Sequence, residues 1–445
     1  MKRLKLYRFR LIFVLISILL LQTAAPLSLS AMDLIEAYTR AKKSDPLFGS
    51  YFYEHEAAKT LSKQGLALLF PLVQASSSMS RFEFDTAPSI YQNFTSFDSG
   101  ITLKQSIFDL GKFYQYRQYN IQEAIGDVKF ASAEQDLILR VAQAYFDALA
   151  AKDLIILNDT EKKAVLEQLE QARRMFQIGT GTITDVHNAE ARYDAILAKE
   201  VENKYNLESK MQALKRLVGT EPDGLSLLEE DIPLQAPEPD SREAWIEIAK
   251  KQNPTLKSYA YNIDHDKDEL RKNKAGHLPT VDLMGGYTWT NTVSGILKSQ
   301  SIAYKSVGLQ ASIPIFTGGY VTAKVKEASA KLEQTKKAYE DAVLDDTQKL
   351  TEAFLGVKGG VAKVKSFLTA VRSATTSLDS NKKGFIAGVR TIVDVLNAEK
   401  DLFDVEGKLL QARYDYIINR VKLKFYAGTL SEADVHTINQ WLQTK

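Results

Sequence analysis

Phe176-Gln-Ile-Gly179-Thr-Gly-Thr182-Ile183-Thr-Asp185-Val186-His-Asn188-Ala189-Glu190 returns 209 residues later as Phe385-Ile-Ala-Gly388-Val-Arg-Thr391-Ile392-Val-Asp394-Val395-Leu-Asn397-Ala398-Glu399. Nine of the fifteen positions are identical, and the same spacing holds well outside this stretch. Pro46 pairs with Pro254, Pro71 with Pro279, Ile107-Phe108 with Ile315-Phe316 and Gly111 with Gly319, each at an offset of 208. Ala144-Tyr145 pairs with Ala353-Phe354 at 209. Chance similarity does not keep one register across five segments, so the chain carries two copies of one unit of roughly 200 residues.

The units are placed at 32–237 and 238–445, after a leader at 1–31. Each repeats one order of elements. A helical stretch (about 33–66 and 241–275) precedes two candidate strands, then a long helix, a glycine turn and a second long helix. The strands are expected at about 72–84 and 97–108, and at about 280–290 and 304–315. Val307, Leu309, Ala311, Ile313 and Ile315 alternate with Ser306, Gly308, Gln310 and Ser312. Val281, Leu283, Tyr287 and Trp289 alternate with Asp282, Gly286 and Thr288, whereas the alternation of Ile101, Leu103 and Ile107 is less regular. Runs of about ten residues with one apolar face suit tilted barrel strands between lipid and water. Phe82, Phe84, Phe97, Tyr287, Trp289 and Tyr304 near the strand ends suit an interfacial girdle. The pattern alone fits two soluble hairpins on a core equally well.

From about 112 to 176 there is no proline and one glycine, Gly126; from about 320 to 385 there is again no proline. Ordinary globular helices average about 11–12 residues, so runs of this length predict coiled-coil packing. After Asp394, Val395, Leu402, Leu409, Tyr416 and Leu423 recur every seventh residue, with Ala398, Val405, Ala412, Asn419 and Tyr426 three further on. That seam packs the last long helix antiparallel on its predecessor. The turns are expected at about 177–184 and 386–391, with Gly179 and Gly388 in the left-handed conformation that ends a helix. Thr184 and Asp185 are placed to cap the next helix, and Asp394 likewise; capping is compatible with a second role.

Lys2, Arg3, Lys5, Arg8 and Arg10 precede an apolar run at Leu11 to Leu21, the order of a secretory signal peptide cleaved after Ala31. The alternative, an uncleaved anchor, has too short an apolar run for a bilayer of about 20 residues. The formal charge of +2 becomes 2 − 5 = −3 once the five basic residues of the leader are removed, and no nucleic-acid partner is expected. With no cysteine there are no disulfides, thiolate metal sites or lipoprotein-type anchors. No later apolar stretch approaches 18 residues.

Catalytic patterns are lacking. Gly111-Lys112 has neither the earlier glycine nor the following hydroxyl of a phosphate loop, no HExxH pair occurs, and His55, His187, His265, His277 and His436 are scattered. No enzymatic activity, cofactor or metal is expected. A periplasmic coiled-coil adaptor or scaffold of an export complex would share the helical hairpins, but it needs no membrane-length strands.

Leu103-Lys-Gln105-Ser106-Ile107-Phe108-Asp109, His277-Leu278-Pro279-Thr280, Arg390-Thr391-Ile392-Val393-Asp394-Val395-Leu396 and Ala412-Arg413-Tyr414 resemble segments of the TolC outer-membrane efflux family. The resemblance covers nearly all of the mature chain and includes the duplication. It implies a mixed α and β membrane protein. In that fold a homotrimer shares a twelve-stranded β-barrel, four strands per protomer, continued by an α-helical coiled-coil barrel across the periplasm. It implies residence in the outer membrane, contact with its lipid, and service as exit duct for efflux pumps or type I secretion. A periplasmic adaptor and an inner-membrane pump are the implied partners. Adaptor contacts then fall on Ile178, Gly179, Thr180, Ala387, Gly388 and Val389. The periplasmic gate falls on Arg174, Thr184, Asp185, Phe385 and Arg390, with contacts of the Arg390–Asp185 type holding it shut. Asp394 takes one ring of entrance carboxylates. The pattern is broken at Asn397, where a second carboxylate is expected, at Phe385 in place of a tyrosine, and at Arg174 in place of a glutamine. A trimeric ring would then carry a charge of about −3 rather than −6.

Overall fold

A computed structural model describes residues 31–86, 90–222, 224–294 and 300–443. The expected signal peptide therefore lies outside the described residues, Ala31 excepted. The first helical stretch is three helices, α1 (Leu34–Ser44), α2 (Pro46–Ala58) and α3 (Leu61–Ala67). Its counterpart is two, α6 (Arg242–Gln252) and α7 (Pro254–Ala275). The breaks at 45 and 253 have one cause. Asp45 and Asn253 leave helical geometry and accept the backbone N–H groups that follow, and a proline takes the first helical position.

β1 (Leu72–Thr86), β2 (Ile90–Phe108), β3 (Thr280–Ser294) and β4 (Gln300–Ser312) form one antiparallel sheet in chain order. The strands begin or end several residues beyond the alternating stretches. Ladder pairing such as Thr86↔Ile90 and Thr292↔Gln300 carries polar residues that no hydrophobic pattern marks. β4 stops at Ser312 rather than about 315, because Pro314 has no N–H to give to a ladder. Across the sheet Ser78 faces Asp98, Asp98 faces Thr290, and Thr290 donates a hydrogen bond of 2.7 Å to Asp98. On the opposite face Ile101, Tyr287, Trp289, Val307 and Leu309 stay exposed. The sheet is amphipathic without a core beneath it, which soluble hairpins would need. Phe84 belongs to β1, but its side chain lies outside the described set.

The long helices are α4 (Leu110–Gln177), α5 (Ile183–Val218), α8 (Tyr320–Ile386) and α9 (Ile392–Tyr426). A last short helix is α10 (Glu432–Asn439). Among the described residues no helix is long and apolar enough to cross a membrane. α4 and α5 make the first hairpin, α8 and α9 the second. In the second, Val395, Ala398 and Leu402 meet Leu378, Val371 and Ala374, which is the heptad seam. α9 also carries a second buried stripe that the heptad reading omits. Ile392 and Leu396 pack on Val165, Leu169, Ala172, Ala189 and Ile196 of the first hairpin.

The main core sits midway along the helices. Tyr145, Phe146, Leu149, Leu214, Leu350, Tyr416 and Ile417 are wholly buried there. The linker between the units is tied in by polar contacts. The Tyr145 hydroxyl reaches the carbonyl oxygens of Met32 and Ser226 at 3.0 and 3.1 Å, and the Tyr416 hydroxyl accepts from Gln235 N–H at 2.9 Å.

Candidate functional site: the helix-turn tips

Each hairpin ends in a turn that its sequence specifies locally. The incoming helix closes with Gly179 at φ 76° and Gly388 at φ 74°, where a side chain would be strained. Thr180 N–H then donates to Met175 O at 2.9 Å, and Val389 N–H to Gly384 O at 2.9 Å, completing the reversal. At Gly384 a Cβ would lie 2.7 Å from Arg390 Cγ, so the glycine lets Arg390 lie across the turn.

The outgoing helix starts with a capping box in both copies. Asp185 N–H donates to Thr182 Oγ1 at 3.1 Å, and Thr182 N–H returns to Asp185 Oδ2 at 3.1 Å. Asp394 N–H and Thr391 Oγ1 are 3.2 Å apart, with Thr391 N–H donating to Asp394 Oδ2 at 2.8 Å. The cap expected at Thr184 therefore belongs to Thr182. The motif needs its hydroxyl three residues before the acid, and Thr184 lies inside the first turn, exposed. The Thr391 amide, then its hydroxyl, hold the Asp394 carboxyl below the usual range, with Arg390 adding to this.

Ile178, Gly179, Thr180, Ala387, Gly388 and Val389 are all exposed, with Ile178 and Val389 about three-quarters open to solvent at 73% and 77%. Water alone does not favour such apolar projections. Arg174 is exposed and pairs within its own helix with Glu170 at 3.6 Å. Phe385 is half-buried and touches both apolar clusters, one in each hairpin interface. Asn397 is exposed, one turn beyond Asp394. Among the described residues no ion pair within one chain joins Arg390 to Asp185.

Behind the tips lies a charged group that motif reading passes over. Glu399 is 1% exposed. Lys382 Nζ approaches it to 3.5 Å, and among the described residues neither carboxylate oxygen has a closer hydrogen-bond partner. Glu161 of α4, 2% exposed, is held by Arg192 and, at 3.6 Å, by Lys199, both of α5. The signal was in the repeat: Arg173 and Glu190 recur as Lys382 and Glu399 at the same offset of 209.

Comparison with known proteins agrees with the duplicated architecture. The family model described as "Outer membrane efflux protein" matches residues 37–220 and again 245–429. The outer membrane protein TolC of Vibrio cholerae is 32% identical over 93% of this chain and 94% of its own. The TolC of Escherichia coli K12 is also 32% identical, over 93% and 85%. The alkaline protease secretion protein AprF of Pseudomonas aeruginosa is 31% identical over 92% and 87%. Among solved structures, the outer membrane protein VceC of Vibrio cholerae superposes with TM-score 0.77 at 16% identity, covering 89% of this chain and 96% of its own. The CmeC outer membrane channel of Campylobacter jejuni gives 0.77 at 18% identity, over 93% and 90%. The chain belongs to the outer membrane efflux protein family. It is a non-enzymatic outer-membrane exit duct for efflux or type I secretion, with its helices in the periplasm.

Proposed function

We propose that this member of the outer membrane efflux protein family works as a homotrimer whose periplasmic entrance is closed by the two hairpin tips and opened by partners that dock on them. Family channels are homotrimeric components of tripartite pumps or secretion systems. The observation that carries the reading is the pair of exposed apolar turns, Ile178–Thr180 and Ala387–Val389, each presented at the end of a helix about 67 residues long. Helices of this length reach about 100 Å at 1.5 Å per residue, enough to bring the tips to an adaptor deep in the periplasm.

The sheet supports the trimer. Among the described residues β1 and β4 each have one edge without a partner strand, and a four-stranded sheet with free edges cannot sit in lipid. Three copies joined edge to edge give twelve strands, with Asp98, Ser96 and Thr290 toward water and Ile101, Trp289, Val307 and Leu309 toward lipid.

At the entrance, Arg390 of one protomer reaches Asp185 or its neighbours on another, with Thr184, Phe385 and Arg174 beside it. Asp394 supplies three carboxylates around the axis and favours cations, more weakly than a double ring because Asn397 is neutral. The cargo is set by the recruited pump; AprF, by its name, serves alkaline protease secretion, and a similar role is open to this chain. Single-channel conductance of the purified trimer tests the entrance. R390S is expected to raise conductance severalfold over wild type. An unchanged conductance would remove Arg390 from the closed state.

A further inference from the structure

Glu399 stands at the place where the second hairpin crosses the first. It lies seven residues after Ile392 and three after Leu396, on the stripe of α9 that packs against α4 and α5. The charged groups around it come from each element in that wall. α8 contributes Lys382 at 3.5 Å, and α4 contributes Glu161 and Glu167; Arg192 and Lys199 of α5 pair with Glu161. One cation at the outer limit of hydrogen-bond distance and two like charges thus surround a carboxylate that, among the described residues, has no closer donor. An ionised carboxylate in such a site is costly, and it relaxes either by taking a proton or by reaching water. Reaching water requires α9 to move away from α4, the movement that separates the tips.

We propose that Glu399 is a positioning residue of the entrance, holding the second hairpin against the first while protonated and releasing it when ionised. The proposal rests on the reading of the tips as a closed entrance. Burial pushes the Glu399 carboxyl up, and Lys382 only partly offsets this. The sign follows. The packed arrangement binds the proton more tightly than the parted one, so acid favours packing. Packing weakens as pH rises from the ordinary carboxylate range through the raised value. Glu190, the same residue of the first repeat, has no such effect, because Arg173 and then His187 hold it below the ordinary range at the surface.

The test is planar-bilayer conductance of the purified full-length trimer from about pH 5 to about pH 8, for wild type, E399Q, K382M and R390S. Wild type is expected to conduct roughly threefold or more at the alkaline end, as one linked proton per protomer allows. E399Q should stay at the low, acid-side conductance throughout. K382M should keep the rise but move it to higher pH, since the offsetting cation is gone. E399Q removes one carboxyl and leaves the other groups of the tips in place, so the difference between the two curves belongs to Glu399. An E399Q curve that follows wild type overturns the proposal. Should E399Q fail to form SDS-resistant trimers, K382M decides, and an unmoved midpoint overturns it. A raised R390S conductance beside an unaltered E399Q curve leaves the entrance reading standing and removes only Glu399.

Discussion

In the first hairpin Glu190 bonds Arg173 at 2.7 Å on an open surface; in the second, Glu399 is shut in the wall with Lys382 at 3.5 Å. The glutamates are equivalent, Arg173 is replaced by Lys382, and the turns agree in kind, yet the environments are opposite. The reason is neighbourhood. α5 packs on α4 along one face, and six of its residues are buried. α9 packs on α8 along one stripe and on the first hairpin along another, and thirteen are buried. Duplication supplied two equal hairpins, and folding gave one of them two sets of contacts. The lesson is that a motif fixes the turn it encodes, and the second packing partner fixes what its side chains do.

The largest expected effect compares Ile392 with Ile183, equivalent residues that are 3% and 45% exposed. I392A should weaken the second tip by about 2–5 kcal/mol, the cost of emptying a buried aliphatic site. I183A should cost clearly less, since Ile183 is 45% exposed within the protomer and leaves a smaller apolar site to empty. Hydrogen exchange of the first turns of α5 and α9 measures both. Equal losses would break the contrast between the hairpins.

A second pair sharpens it midway along the helices. Arg140 bridges Asp45 and Asp136 at 2.7 and 2.6 Å in the first repeat. In the second, Lys349 bonds Asp345 alone at 2.7 Å, while Asn253 donates to Asp346 at 2.8 Å. Asp346 occupies the place of the fully buried Leu137. Burial, with Asp345 adding like charge, pushes its carboxyl from 3.8 up to about 6. A raised acid gives stability that is present below about pH 4 and is lost as pH rises through about 6. D346N should therefore lessen the fall in melting temperature between about pH 4 and about pH 7. A fall as steep as in wild type would place the pH dependence elsewhere.

The caps offer a control in which the two copies should agree. T182A and T391A each remove one box and should each cost about 1 kcal/mol of local stability. Exchange of the amides at 183–186 and 392–395 reads this. A much larger loss at one tip would mean that even the turn is not autonomous. Smallest of all, E190Q should leave tip stability unchanged and add no pH dependence, since an exposed pair holds little and is screened by salt.

How far the site was legible follows from the range of the forces involved. Gly179, Gly388 and the acids at 185 and 394 were readable because positive φ and helix capping are settled within four or five residues. Thr182 was missed although its spacing from Asp185 carries the box, because Thr184 stood nearer. Pro314 was in plain view and ended β4 early. Glu399 was visible as a repeat of Glu190, but its burial was not. Burial depended on α4 crossing α9, a contact between residues more than 200 positions apart.

The sequence by itself determined the duplication, the four strands, the long proline-free helices and the glycine turns, since each follows from local conformational preference or from side-chain period. Only the tertiary structure decided which copy of the hairpin lies between two neighbours. The same decision made α9 a two-faced helix and buried one glutamate of an equivalent pair. Hydration is lost through the summed approach of distant surfaces, and no single segment encodes that sum.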